Sequence, residues 1–363
     1  MRIAVLGGGN GSFAAAGDFA LAGHEVRLWR RDAVAVNEHV TRNKTVVVKD
    51  GNGSRTAALT MVTTDMASAV KNAELIFCPS PATSHEDIAK LVAPHLVSGQ
   101  VVFLTPGTLG TLIFAKAARA AGTSEGVCFA ETGTLPWLVR KHGPFEVAIT
   151  IRAVRLPVGV FPRICQDHAL AVIGRTFPDV IEPCGDALSG ALMNAGPIIH
   201  PPLILMNAGP LEHFDRWDIH NEGTQPAIRR VTNVLDSERV AVRESLGYGA
   251  PHFPLADNYA EDGEEWMYGR RAQGQLTKSG DWREKIDLTT HRYMREDTLL
   301  GLSLLVSVAD LAGVDAPLAR SFLSLGSAIC GFDVEREGRT LANLGLNSRD
   351  KTSLQKFLEA GFA

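Results

Sequence analysis

A chain of 363 residues, 45% hydrophobic and 21% charged, carries apolar material for two ordinary globular domains. Its formal net charge of −4 offers no electrostatic footing for nucleic acid or an anionic membrane. No stretch approaches the roughly 20 apolar residues of a membrane span, and the N-terminal apolar run is too short for a signal-peptide core. The five cysteines, Cys78, Cys128, Cys165, Cys184 and Cys330, form no Cys-x-x-Cys pair; they read as reduced thiols of a cytoplasmic protein without a metal site.

The first half alternates short β-rich runs with helical ones. Arg2–Leu6 is an apolar strand, Ser12–Ala22 an Ala-rich helix and Glu25–Trp29 an alternating second strand. Glu74–Cys78 and Val101–Thr105 are further strands, and Ser84–Leu96 between them has helical spacing, with Ser84 and Asp87 placed as a capping box. Phe145–Val160 supplies one or two closing strands. This alternation predicts an α/β Rossmann domain, doubly wound on a mostly parallel sheet, over residues 1–184. Pro183 and Gly185 then interrupt the pattern. Ala227–Leu246, Glu296–Ala312 and Pro317–Ile329 carry helical spacing, which predicts an all-α domain over 185–363. Met193-Asn194-Ala195-Gly196 recurs as Met206–Gly209, which is chance or two similar helix–turn junctions. Residues 247–282 are polar and Gly-rich yet hold Phe253, Tyr259, Trp266, Tyr268 and Trp282, which favours a binding loop over disorder.

Gly7-Gly8-Gly9-Asn10-Gly11-Ser12 joins the first strand to the first helix. Such a turn lets backbone amides approach a pyrophosphate at a helix N-terminus. Gly7, Gly9, Asn10, Gly11 and Ser12 are therefore cofactor-binding candidates, with Ser12 at the third-glycine position. About 20 residues further on, an acid would take the ribose hydroxyls of NAD. Arg30 stands there, followed by Arg31 and Asp32. A guanidinium suits a 2′-phosphate, so the arginines favour NADP; with Asp32 on the ribose instead, NAD would serve. Pro79–Ala82 and Thr105–Gly107 end the next two strands, where loops line the ligand crevice or are ordinary turns, and Pro81 is the cofactor candidate among them.

Three later stretches hold candidate chemistry: Glu131–Trp137 after a strand, Asn194–Pro202 opening the helical domain, and Arg292–Gly301. Together with the glycine turn, Pro81-Ala82 with His85, Pro94-His95-Leu96, Arg140 and Leu235-Asp236-Ser237-Glu238-Arg239, they give a chain that resembles the opine dehydrogenase family of octopine/nopaline type along nearly its whole length. The resemblance implies NAD(P)H-dependent reductive condensation of a 2-oxo acid with an amino acid. It implies a catalytic histidine supported by an aspartate and an arginine that holds a carboxylate, which map onto His200, Asp297 and Arg292. Thr132 and Trp137 join Arg292 as substrate-binding candidates, and Glu131 joins the cofactor set. The chemistry fits those residue types: hydride attack on an imine needs a proton donor that titrates near neutrality, and a carboxylate behind it fixes the tautomer.

Each residue has a plainer role open to it. His200 lies in an apolar run where a core histidine fits equally, Asp297 suits a helix N-terminal acid, and Arg292 a surface ion pair. His213, His220 and His252 read as surface or loop residues, whereas His291 adjoins Arg292. Two other functions compete. A ketopantoate reductase or glycerol-3-phosphate dehydrogenase type would bring a lysine early in the helical domain, and 186–210 has none. A non-catalytic dinucleotide sensor would need no proton-transfer residue. Partners are small molecules, and a homodimer stays open.

Overall fold

The structure is a computed structural model and describes residues 1–362. It divides into two compact units, Met1–Ala191 with Glu359–Gly361, and Leu192–Leu358.

The first unit contains β1 (Arg2–Leu6), β2 (Glu25–Trp29), β3 (Thr45–Asp50), β4 (Gly53–Ala58), β5 (Met61–Thr63), β6 (Leu75–Cys78), β7 (Val101–Leu104), β8 (Cys128–Thr132), β9 (Trp137–Gly143), β10 (Glu146–Arg152), β11 (Leu156–Phe161) and β12 (Ile181–Asp186). Eight of these form one sheet in the order β12-β11-β8-β7-β6-β1-β2-β5. Strands β8 through β5 run parallel; β11 is antiparallel to β8 and parallel to β12. The doubly wound, mostly parallel reading is thus the observed one. Central β1 is buried along Ile3–Leu6, as a parallel strand covered on both faces must be.

A second sheet, in the order β4-β3-β10-β9, has no counterpart in the sequence expectations. Its hairpin turn, Asp50-Gly51-Asn52-Gly53 after Thr45–Lys49, is a hairpin signal that those expectations leave out. Phe145–Val160 accordingly splits between sheets, with β10 in the second and β11 in the main one. Helix Asn10–Leu21 lies against this sheet so closely that a Cβ on Gly17 would come 2.4 Å from Val48 Cγ2. Arg152 of β10 locks the contact, reaching Asp18 at 2.7 Å and Asp50 at 2.6 Å. The capping box does not form: Ser84 Oγ donates to the Pro81 carbonyl, and the α-helix runs only over His85–Val92.

The unit boundary falls at 191/192, seven residues beyond the expected one. Helix Ala187–Ala191 stays with the first unit because two glycines permit backbone contact. A Cβ on Gly159 would stand 2.1 Å from the Asp186 carbonyl, and one on Gly190 would stand 2.8 Å from that of Glu131.

The second unit is helical, apart from one two-residue pairing of Trp217–Asp218 with Arg283–Glu284. Its helices include Gly196–Leu205, Ala208–His213, Pro226–Ser245, Leu302–Ala312 and Pro317–Cys330. The two Met-Asn-Ala-Gly repeats open the first two of these, so they are helix junctions. The segment Tyr293–Gly301 is a π-helix, a rare form that concentrates at functional sites. Leu235–Arg239 is structural. Asp236 accepts from Arg239 at 2.6 Å and from the Leu255 amide at 2.7 Å, while Glu238 accepts from the Leu318 and Ala319 amides at the start of the Pro317 helix. This network ties the start of the 247–282 segment to the unit. Phe253, Trp266, Tyr268 and Trp282 of that segment are buried, so they pack inward and are not displayed as a binding face.

Helix Gly196–Leu205 meets the π-helix through two glycines. A Cβ on Gly301 would lie 2.2 Å from Pro197 Cγ, and one on Gly196 would lie 2.2 Å from Asp297 Oδ1. We expect Gly301→Ala to cost about 1–3 kcal/mol of stability, the usual scale for overpacking. An unchanged urea midpoint would contradict this close approach.

Candidate active site

In the first unit the glycine turn has the form a pyrophosphate needs. Gly7 takes φ +116, a conformation that disfavours other residues, and its amide donates to the Trp29 carbonyl. Gly9 caps the helix without a side-chain hydrogen bond, and a Cβ on it would meet nothing, so open space lies before the first-turn amides. A Cβ on Gly11 would come 2.7 Å from Leu135, which is why that position is glycine. Ser12 is buried and donates to the Leu6 carbonyl at 3.3 Å, so a small hydroxyl substitutes for the third glycine. These features fit a dinucleotide.

Arg30 lies over this turn: a Cβ on Gly8 would be 2.8 Å from its Nε. Its guanidinium donates to the Ala35 carbonyl and sits 5.4 Å from the Phe13 ring centroid. Arg31 is exposed. Asp32 caps helix Ala33–Thr41: its Oδ1 accepts from both the Val34 and Ala35 amides. Pro81 is exposed at the end of the loop after β6.

The Glu131–Trp137 stretch is largely internal. Glu131 is fully buried beneath the turn after β7 and accepts from Leu109 N at 2.7 Å, Thr111 N at 3.1 Å and Thr111 Oγ1 at 2.6 Å. Leu109, whose amide it binds, takes a left-handed conformation, φ 56. Thr132 is wholly buried, and its hydroxyl has no hydrogen-bond partner among the described residues. Trp137 is buried. Its indole donates to Asp18 at 2.7 Å and its ring packs against Phe19, Phe77 and Phe177, which leaves it 2% exposed.

In the second unit, positions nearly a hundred residues apart meet. His200 Nδ1 lies 2.7 Å from Asp297 Oδ2. With Asp297 ionised, Nδ1 donates and the tautomer is set. His200 sits just before Pro201 and Pro202 in its helix, where the prolines remove two backbone donors and stiffen the segment. Tyr293 stacks on the imidazole with ring centroids 3.8 Å apart, and His220 meets it edge-on at 5.9 Å. His220 is therefore a buried neighbour of the site and not a surface residue. Arg292 is exposed, its guanidinium 4.9 Å from the Tyr293 ring centroid.

Tyr293 is not among the sequence candidates, although its place four residues before Asp297 puts both on one helical face. Asp297 is 4% exposed, and burial pushes its carboxyl up to about 7, with the Arg292 charge opposing the shift.

The family model described as NAD/NADP octopine/nopaline dehydrogenase, alpha-helical domain, matches residues 183–330, and the NAD-dependent glycerol-3-phosphate dehydrogenase N-terminus matches residues 2–108. An opine dehydrogenase from Arthrobacter sp. (strain 1C) is 30% identical over 98% of both chains. The chain belongs to the opine dehydrogenase family. Among solved structures, octopine dehydrogenase in complex with NADH and agmatine superposes with a TM-score of 0.76 at 17% identity, covering 100% of this chain and 99% of that one. Yersinopine dehydrogenase with NADP+ bound superposes at 0.66 with 14% identity, covering 99% and 97%. The protein is an NAD(P)-dependent oxidoreductase acting on CH–NH bonds, by reductive condensation of a 2-oxo acid with an amine. Among the described residues no helix is long and apolar enough to cross a membrane.

The Asp297 environment has a measurable signature. The folded chain retains a proton on this carboxyl up to about pH 7, whereas an unfolded carboxyl releases it near its ordinary value of 3.8. Between those values the native state binds more protons, so this group's contribution to stability is present at low pH and declines as pH rises through the window. In Asp297→Asn the decline between pH 4 and 7 should flatten relative to the native chain. Identical stability–pH slopes in urea titrations would remove Asp297 from that role.

Proposed function

We propose that the protein is an NADP(H)-preferring opine dehydrogenase in which His200 moves the proton, Asp297 orients it and Arg292 holds the carboxylate of the 2-oxo acid. The observation that carries this reading is the 2.7 Å contact between His200 and a buried Asp297. A carboxylate kept this basic is a strong acceptor for Nδ1–H, so it presents Nε2 to the substrate and stabilises the imidazolium when it forms. The amine nitrogen attacks the 2-oxo carbon and water leaves, giving an imine. In that step protonated His200 can assist departure of the hydroxyl. The bound cofactor supplies the hydride to the imine carbon. Protonation of the nitrogen yields the secondary amine, and the reverse reaction uses the same imidazole as base. Tyr293, stacked against the ring, limits its rotation. Arg292 presents a planar two-pronged donor set at the edge of the cluster, as a substrate carboxylate requires.

The NADP preference rests on Arg30 over the glycine turn. A cytoplasmic setting fits the reduced cofactor and the cysteine pattern. The glycerol-3-phosphate dehydrogenase likeness stops at residue 108, so it speaks for cofactor binding alone. A sensor without turnover leaves the His200–Asp297 pair unexplained.

The test is a panel of 2-oxo acids and amino acids with NADPH, scored by loss of reduced-nicotinamide absorbance and by the mass of an N-substituted amino acid. We expect oxidation only when both substrates are present. Oxidation with the 2-oxo acid alone, giving a hydroxy acid, would favour the ketopantoate-type alternative. His200→Ala should lower kcat by about a hundredfold or more, the scale of a lost general acid/base, with cofactor affinity kept; an unchanged rate would take His200 out of the mechanism.

A further inference from the structure

The second sheet delivers a cation to the cofactor turn. Lys141 lies on β9, and its backbone amide donates to Asn10 Oδ1 at 3.0 Å, which fastens β9 to the first residue of the cofactor helix. Its ammonium stands 3.9 Å from the Phe13 ring centroid, the same ring over which the Arg30 guanidinium lies at 5.4 Å. His39 stacks on that ring as well, with centroids 5.5 Å apart. Two cationic side chains thus converge at the positive end of helix Asn10–Leu21.

Neither cation has a salt-bridge partner among the described residues. The acidic groups that influence Arg30 are Asp32 and Glu38, and Asp32 Oδ1 accepts from two amides at its helix cap. The crowding has the expected effect: burial, then the Arg30 charge, lowers the Lys141 pKa, and burial lowers that of Arg30. Phe13 offsets part of the repulsion through its ring face. A cluster of this kind is stabilised by an anion between its members, because an oxyanion gives each cation a charge-assisted hydrogen bond.

We propose that Lys141 is a second cationic ligand for the phosphomonoester on the cofactor's adenosine ribose, completing with Arg30 a two-cation site that selects NADP(H). The inference rests on the NADP reading above and adds a residue from a different sheet. It also gives the second sheet a role in cofactor choice, since the Arg152–Asp18–Asp50 contacts that fix that sheet on the cofactor helix set where the ammonium stands.

The experiment measures dissociation constants of the full chain for NADPH, NADH, 2′,5′-ADP and 5′-AMP in the native protein, Lys141→Met, Lys141→Arg and Arg30→Ala. Methionine keeps an unbranched apolar stem against Phe13 and removes the charge, so it separates packing from electrostatics. We expect Lys141→Met to weaken NADPH and 2′,5′-ADP by about ten- to a hundredfold, the range for a lost hydrogen bond to a charged group, while NADH and 5′-AMP change little. Lys141→Arg should recover most of the affinity. Equal weakening of all four ligands, or unaltered NADPH binding while Arg30→Ala still discriminates, overturns the Lys141 assignment and leaves the NADP reading intact. If both variants leave the native NADPH-to-NADH ratio unchanged, the NADP reading falls with it.

Discussion

The helical unit is organised around one buried carboxylate. Asp297 is almost completely removed from solvent, and an unpaired carboxylate in such a place would be costly. The imidazole of His200 meets that need at 2.7 Å, and the surroundings allow little else. Gly196 leaves no room for a Cβ beside Oδ1, Gly301 lets the π-helix press on Pro197, and Tyr293 covers the face of the imidazole. Burial raises the affinity of the carboxyl for its proton, which makes it a better acceptor for the imidazole N–H. The same burial that makes the pair expensive suits it to the proposed acid–base role.

The residues proposed for chemistry and those that fit a dinucleotide are divided between the units. The first unit offers uncapped helix amides, a left-handed glycine and cations, which are generic tools for a phosphorylated dinucleotide, and its first 108 residues are shared in pattern with a glycerol-3-phosphate dehydrogenase. The second unit carries the histidine, the aspartate and the arginine. Function follows the second unit's side chains more than the shared fold. The missing lysine early in the helical domain and the His200–Asp297 contact separate this chain from reductases on the same plan.

Much of this was legible in the residues. The glycine turn could be placed because strand and helix periodicity flank it, and Ala-rich spacing sufficed for the helix that follows. His200 and Asp297 were reachable only through family resemblance, since no local pattern links residues so far apart in the chain. Residue type does not reveal orientation at Trp137 and Glu131: the indole N–H donates to Asp18, and the carboxylate accepts from two backbone amides and a hydroxyl. His220 misled in the opposite sense, since its polar surroundings in sequence concealed a buried place beside His200. The π-helix has no signature in periodicity at this length; it packs closely against Gly196 and Gly326. Lys141 was missed with its sheet, because the expected strands pass over the Asp-Gly-Asn-Gly hairpin with which that sheet begins.

Proton transfer by His200 depends on whether its imidazole shares the Nδ1 proton with Asp297 in solution. Proton NMR of the native protein near neutral pH should show one exchange-protected imidazole N–H resonance far downfield, bonded to a histidine nitrogen and lost in Asp297→Asn. A spectrum without that resonance, or one in which it survives the substitution, would contradict the pairing on which the proton-transfer assignment is built.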